Sequence, residues 1–274
     1  MPTDPDAAAG APRLDPGPCA TRATPVRSIA RVVLSEPRRL VVAVPRWPGF
    51  RPGQFAMLEL DPSHLHLDPL LPRPMAIYRA RGWEVEFRFR PVGRGTRALG
   101  ALAPGAELGV LGPLGRGFPE PDAERGSAIL IGGGTGIATL YPLACRMPGA
   151  RVLLGGRTRS DLLGREDFEQ LEVDLELATD DGSAGLQGPV TDLLKARPGD
   201  AVYACGPTPM LRRAADRAQA AGARVWVALE AHMACGFGVC LGCAVPRAAD
   251  GGFAYVCRDG PVFDARDLDW EGLP

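Results

Sequence analysis

The chain has 274 residues, 46% of them hydrophobic, which is enough for two cored domains and an appendage. Its 31 basic and 32 acidic residues leave a formal net charge of −1, so no global field favours nucleic acid or an anionic membrane. No apolar run approaches membrane-spanning length, and no basic-then-apolar signal opens the chain; seven cysteines, four in one metal-type group, suit a reducing cytoplasm better than a disulfide scaffold.

Residues 1–25 are rich in Pro, Ala, Asp and Gly and read as a disordered leader. From residue 26 the texture turns to short β-rich runs at 26–34, 39–45, 54–60, 75–79 and 83–92, with turns at Arg51-Pro-Gly-Gln54 and Arg81-Gly82. Glu84-Val-Glu-Phe-Arg-Phe-Arg90 alternates strictly, as expected for a strand with one buried face. Close strands with a single helix near 96–101 predict a small antiparallel barrel over 26–122.

Near Ser127 the pattern changes. Ala128-Ile-Leu-Ile131 is a continuous apolar run, the signature of a parallel strand covered on both faces, and it leads into Gly132-Gly-Gly-Thr-Gly136 and a helix to about 147. Strand-like 151–155, 173–179, 201–204 and 224–229 alternate with helical stretches near 162–170, 189–196 and 207–221, which predicts an open parallel sheet over 123–229. Residues 230–274 follow as a small cysteine-bearing domain, completing an α+β multidomain chain.

That last segment reads Glu230-Ala-His-Met-Ala-Cys-Gly-Phe-Gly-Val-Cys-Leu-Gly-Cys243, with Cys257 downstream, a C-x4-C-x2-C-x13-C spacing. The first three spacings are those of a plant-type 2Fe–2S site. Gly236, Gly238 and Gly242 would let the backbone wrap a cluster without side-chain clashes and leave N–H groups free for its sulfurs. A structural zinc site also takes four cysteines, although zinc ribbons present two C-x2-C knuckles and this chain has one. Cys145 and Cys205, in apolar surroundings, read as buried small hydrophobes.

Other segments suggest nucleotide chemistry. Arg73-Pro-Met-Ala-Ile-Tyr78 heads a strand with a cation, and Pro91-Val-Gly-Arg-Gly-Thr96 opens a helix with glycines and a Thr, a phosphate-friendly terminus; either alone is equally a surface turn. The glycine turn at 132–136 falls short of a full G-x-G-x-x-G and is equally a turn needing positive φ and close packing. Thr179-Asp-Asp-Gly-Ser183 and Cys205-Gly-Pro-Thr-Pro-Met-Leu211 end two further strands, so three such loops would share the sheet's carboxyl edge, where α/β sheets bind ligands. No nucleophile–base–acid triad is present, and the three histidines are His64, His66 and His232.

Together with Gly112-Pro-Leu-Gly-Arg-Gly-Phe118 and Cys257-Arg-Asp-Gly-Pro-Val-Phe263, these motifs stand in an order that resembles the ferredoxin–NADP reductase superfamily. Within it, the chain is similar to the electron-transfer subunits of NAD-dependent dihydroorotate dehydrogenase over roughly residues 26–267. The resemblance implies FAD against the barrel, with Arg73 and the 93–96 loop (Gly93, Gly95, Thr96) on its diphosphate and Pro74, Met75 and Ala76 beside it. It implies NAD across Gly132, Gly133, Gly134, Thr135 and Gly136, and Cys205 with Gly206 and Pro207 near the nicotinamide–flavin contact. Cys235, Cys240, Cys243 and Cys257 would ligate a 2Fe–2S cluster that relays electrons to an FMN-containing dihydroorotate dehydrogenase catalytic subunit. The family often carries Ser where this chain has Ala76, so a backbone group would have to serve flavin N5. Physically the set coheres, since nicotinamide exchanges electron pairs, an iron–sulfur cluster single electrons, and flavin both. Related reductase subunits, of a sulfide dehydrogenase or a ferredoxin:NAD(P)H transhydrogenase, are the nearest alternative; a zinc-stabilised interaction protein is the alternative of another class.

Overall fold

The computed structural model describes residues 24–61, 70–120, 126–249 and 251–273. The expected leader, apart from its last two residues, and Cys19, His64 and His66 lie outside them.

Six strands close an antiparallel barrel: β1 (Val26–Glu36), β2 (Arg39–Ala43), β3 (Phe55–Glu59), β4 (Arg73–Arg81), β5 (Glu84–Arg88) and β6 (Glu107–Leu114), in the order β1-β2-β5-β4-β3-β6. Closure comes from β6, which pairs with both β1 and β3 and was not anticipated from the sequence. Its Gly112 is required there, because a Cβ at this position would stand 2.8 Å from that of Ala56. Ala30, Leu40, Val85, Phe87 and Leu108 fill the interior. Each large apolar side chain sealed this way contributes about 1.5–3 kcal/mol, which is what selects the register.

The outer face of β5 corrects the expectation of one buried face. Glu86 is as buried as its apolar neighbours, under Arg39, Arg79 and Arg88, because the second domain covers this side of the barrel. The short helix α1 (Arg94–Leu99) follows β5.

The second layer is a seven-stranded sheet. Its strands are β7 (Ala128–Gly133), β8 (Arg151–Gly156), β9 (Asp174–Thr179), β10 (Leu186–Gln187), β11 (Ala201–Cys205), β12 (Arg224–Ala228) and β15 (Val262–Asp264), with β13 (Ala244–Pro246) and β14 (Phe253–Tyr255) forming a separate hairpin. The order is β10-β9-β8-β7-β11-β12-β15, parallel except for β15, which runs antiparallel to β12. Helices α2 (Ile137–Ala144), α3 (Arg165–Phe168) and α4 (Thr208–Ala220) connect them.

Two expected helices are shorter than their apolar pattern suggests. Gly164 at φ 73 keeps α3 from extending back to 162. The stretch expected at 189–196 is only a 3-10 turn, Val190–Leu193, seated on Gly155 by the β-branched Val190.

The C-terminal segment has no core of its own. Cys243, Val245, Val256, Cys257 and Leu268 share one apolar cluster with Val202, Val225 and Val227 of the sheet and Phe55 and Met57 of the barrel. The cysteine loop is thereby wedged between the two domains.

Candidate site between the barrel and the sheet

Strand pairing brings the loops together. Cys205 of β11 is in register with Gly132 of β7, so the turns that follow both strands emerge side by side at the carboxyl edge. Gly136 sits against the backbone of Cys205 and Gly206, leaving no room for a Cβ, and Gly206 takes φ 156 within 3.1 Å of the Gly133 backbone, as measured from its would-be Cβ. Gly132 packs on Ile137 of α2, and Gly134 adopts φ 58. Within the expected glycine stretch, then, only Gly133, Gly134 and Thr135 face a cavity; Gly132 and Gly136 permit close approach.

A cavity of about 270 Å³ opens where this edge meets the barrel. Pro74, Met75 and Ala76 of β4 form one wall, and Thr135, Thr139 and Cys205 the other. Thr96 lines it from the start of α1, where the Gly93 N–H donates to Thr96 Oγ1 at 3.0 Å. Arg73 is not among the lining residues. Its guanidinium packs against Gly95, leaving no room for a side chain there, and donates to the Leu71 carbonyl at 2.7 Å. The Arg73 and 93–96 segments are therefore neighbours, as the sequence pattern expects.

A second cavity of about 460 Å³ runs along the same edge on its outer side, floored by Gly133, Gly134, Gly155 and Gly156 and flanked by Pro207.

Two polar groups in the first cavity escaped the sequence reading. Glu230 follows β12, and its carboxylate accepts from Thr135 Oγ1 at 3.2 Å; desolvation raises its pKa, the Thr135 bond opposing. Burial, helped by Glu230 and opposed by a Thr139 hydrogen bond, pushes the Cys205 thiol up to about 12, so it is a neutral S–H at physiological pH. Position at a strand's carboxyl end was the signal that could have found Glu230; nothing local marks Thr139.

The two domains are pinned by a charged cluster beside this cavity. Asp167 of α3 accepts from Tyr78 Oη at 2.7 Å and pairs with Arg79 at 2.9 Å and Arg88 at 2.7 Å. Tyr78 stacks on Tyr141 with centroids 4.3 Å apart, and both arginines lie over the Tyr78 ring. Desolvation pulls the Asp167 carboxyl up, but the tyrosine and the two arginines outweigh it and hold it below the ordinary range. Cys145, expected to be buried, is only partly so, with its thiol raised by burial to about 11.

The four cysteines come as two pairs. The Cys240 N–H lies 3.5 Å from Cys235 Sγ, and Cys243 Sγ is 3.2 Å from Cys257 Sγ. Among the described residues no three side chains converge on one metal position. A mononuclear zinc needs all four thiolates at about 2.3 Å from one point, whereas a binuclear cluster takes two per iron; the pairs fit the latter. The donors fit as well. Desolvation would raise the Cys235 thiol, yet the N–H groups of Cys240, Phe237 and Val239 aimed at its sulfur bring it down to about 6. Cys257, desolvated and facing Cys243, is pushed up to about 12 in the absence of a cation. Gly236 approaches the side chain of Met57 so closely that the loop touches β3.

Comparison with known proteins agrees with this geometry. The model of the iron–sulfur cluster binding domain of dihydroorotate dehydrogenase B matches residues 230–269. The electron transfer subunit of dihydroorotate dehydrogenase B (NAD(+)) from Bacillus caldolyticus is 40% identical over 229 residues, 80% of this chain and 86% of that protein. The homolog of that subunit from Aquifex aeolicus (strain VF5) is 39% identical over 222 residues, covering 79% and 85%. Among solved structures, an NADH-dependent reduced ferredoxin-NADP oxidoreductase studied for flavin-based electron bifurcation aligns with a TM-score of 0.76 at 30% identity, over 89% of this chain and 91% of its own. The ferredoxin reductase of carbazole 1,9a-dioxygenase, at 22% identity and a TM-score of 0.62 over 73% and 67%, shares the fold.

Proposed function

The chain belongs to the family of electron transfer subunits of NAD(+)-linked dihydroorotate dehydrogenase B, and from that premise we propose that it relays electrons between NAD(H) and a catalytic partner through FAD and a 2Fe–2S cluster. The partner in this reading is an FMN-containing subunit that oxidises dihydroorotate to orotate for pyrimidine biosynthesis in the cytoplasm. No helix among the described residues is long and apolar enough to cross a membrane. The zinc-stabilised alternative gives way to the iron–sulfur family match and the paired cysteines.

One observation carries the proposal: a cavity shared by barrel and sheet stands beside a wedged loop bearing two cysteine pairs. When bound, nicotinamide, flavin and cluster supply hydride, mixed and one-electron chemistry respectively. The chain's residues divide the remaining work. Pro74, Met75 and Ala76 wall the flavin ring, while Arg73 and the 93–96 loop hold its diphosphate. Gly133, Gly134 and Thr135, with Gly206 and Pro207, receive the nucleotide. Cys205 presents an uncharged S–H to the nicotinamide, and Glu230 orients the same ring through Thr135. Cys235 with Cys240, and Cys243 with Cys257, would hold the cluster as two thiolate pairs. Cys240 is the exposed member, and Phe237, Val239 and Leu241 around it are half or more exposed, so electrons leave here and the partner docks here.

The test separates the steps. A cluster-depleted preparation that keeps FAD should still have its flavin reduced by NADH in stopped flow, yet fail to reduce the partner's flavin. Coupling at the native rate without the cluster would refute the relay. The 30% identical oxidoreductase supports a second reading, a reductase subunit of another flavoprotein complex. Failure to reconstitute NAD-linked dihydroorotate oxidation with an FMN-containing subunit would favour that one.

A further inference from the structure

The cysteine loop carries almost no charge of its own. From Ala231 to Cys243 there is no Asp, Glu, Lys or Arg, and His232 is the one titratable side chain besides the cysteines. Two irons and two sulfides on four thiolates make an anion, and reduction adds one further negative charge. The balance between its oxidised and reduced forms therefore answers to any fixed charge held nearby. The charge adjoining a cysteine of this set in sequence is Arg258, next to Cys257.

The fold lays Arg258 back over the loop. A Cβ at Gly238 would stand 3.0 Å from Arg258 Cδ and 3.3 Å from its Cβ, so the arginine stem lies against the backbone between Phe237 and Val239. Gly238 takes φ 90, and its N–H is directed at the Cys257 sulfur. The guanidinium is fixed as well. Its Nε and Nη2 donate to the two Asp259 oxygens at 3.1 and 3.0 Å, and it lies over the Tyr255 ring, 4.8 Å from the centroid. Asp259 is anchored in turn, accepting from the Tyr255 N–H at 2.9 Å. A surface arginine that swings freely spreads its charge through solvent. This one is held at stem, fork and face, within Coulombic reach of Cys257. Its side chain is 55% exposed, so solvent and salt weaken its field without removing it.

We propose that Arg258 sets the reduction potential of the cluster, its fixed cation favouring the reduced form and so drawing single electrons from the flavin toward the exit. The inference rests on the reading that the four cysteines hold a 2Fe–2S cluster. The electron count is simple: the reduced flavin gives up one electron, the cluster takes it, and Arg258 acts through its field alone.

The experiment is a mediated redox titration of the flavin- and cluster-loaded protein, followed by the paramagnetic signal of the reduced cluster. Wild type, Arg258→Met, Arg258→Lys and Asp259→Asn are compared after iron and acid-labile sulfide have been counted. Arg258→Met keeps an unbranched stem on Gly238 and loses the charge. It should shift the one-electron equilibrium about three- to tenfold toward the oxidised cluster, a fall of about 30–60 mV where tenfold is about 59 mV. Arg258→Lys should recover most of that shift. Asp259→Asn leaves an acceptor for the Tyr255 N–H, removes the counter-charge, and should move the potential the opposite way. A wild-type potential in Arg258→Met overturns the inference, as do equal falls in Arg258→Met and Arg258→Lys, since the arginine would then only clamp the loop. Should Arg258→Met fail to keep its cluster, Asp259→Asn decides: a raised potential upholds the field, and an unchanged one overturns it. If wild type holds no iron, the cluster reading itself fails and takes the inference with it.

Discussion

Adding one methyl group at Gly136 should uncouple the two halves of the nucleotide edge. The position has φ −62, so alanine meets no backbone penalty, and any cost must be steric. The new Cβ would collide with the carbonyl group of Cys205 and stand 2.6 Å from the Gly206 nitrogen, where ordinary contact begins at 3.4 Å; at least 0.8 Å must therefore be found between two backbone segments. Backbone cannot swing aside as a side chain does, so the cost lies at the upper end of the ~1–3 kcal/mol typical of overpacking. For a chain of this size that corresponds to a fall of about 6–12 °C in Tm. The displacement falls on Cys205 and Gly206, so nucleotide affinity should drop as well. Gly149→Ala, away from the nucleotide edge, is the control. Open space surrounds it and only its φ of 78 is at stake, which costs about 1 kcal/mol. Thermal melts and NAD+ titrations of both variants provide the measurement. If Gly136→Ala melts within 2 °C of wild type (roughly 0.5–1 kcal/mol) and binds NAD+ equally well, the close approach of the two turns is not what shapes this edge.

Two further outcomes follow from the cluster loop and the domain junction. Cys240→Ala removes one of the two thiolates of the exposed pair and should lose both irons and acid-labile sulfide, disordering the loop around Phe237; a variant retaining two irons with an unchanged paramagnetic spectrum would show that Cys240 is not a ligand. Asp167→Asn should destabilise the protein by about 2–3 kcal/mol at pH 7, below the figure for fully buried pairs because Asp167 keeps some solvent contact. Because the folded-state carboxyl lies below its unfolded value near ~3.9, its contribution is present above that pH and lost as pH falls through the folded value. Urea titrations at pH 7 and pH 3 should therefore show the gap between wild type and variant closing in acid, and a gap independent of pH would contradict the Asp167 account.

What could be read from the chain was whatever the chain encodes locally. The C-x4-C-x2-C loop is set by spacing within nine residues, and the glycine turn by the need for a backbone with no Cβ after a buried strand, so both were visible before any packing was known. The barrel's alternation and the βα succession were legible for the same reason, because their periods are written residue by residue. Tertiary structure decided what depends on partners far away in sequence. Strand β6 is marked weakly, its pattern broken by Gly109, Gly112 and Pro113, and becomes a strand only between β1 and β3. Residues 230–274, expected to form a domain of their own, share the sheet's core and lend it β15, since that segment cannot bury Cys243, Val256 and Cys257 alone. Glu86 looks like a solvent-facing strand residue until Arg39, Arg79 and Arg88 close over it. Likewise, no local pattern distinguishes Thr191 from other turn residues; the parallel order β9-β8-β7-β11 brings its hydroxyl to the edge that the 179–183 loop already marked in the sequence, and only that neighbourhood places it on a cavity.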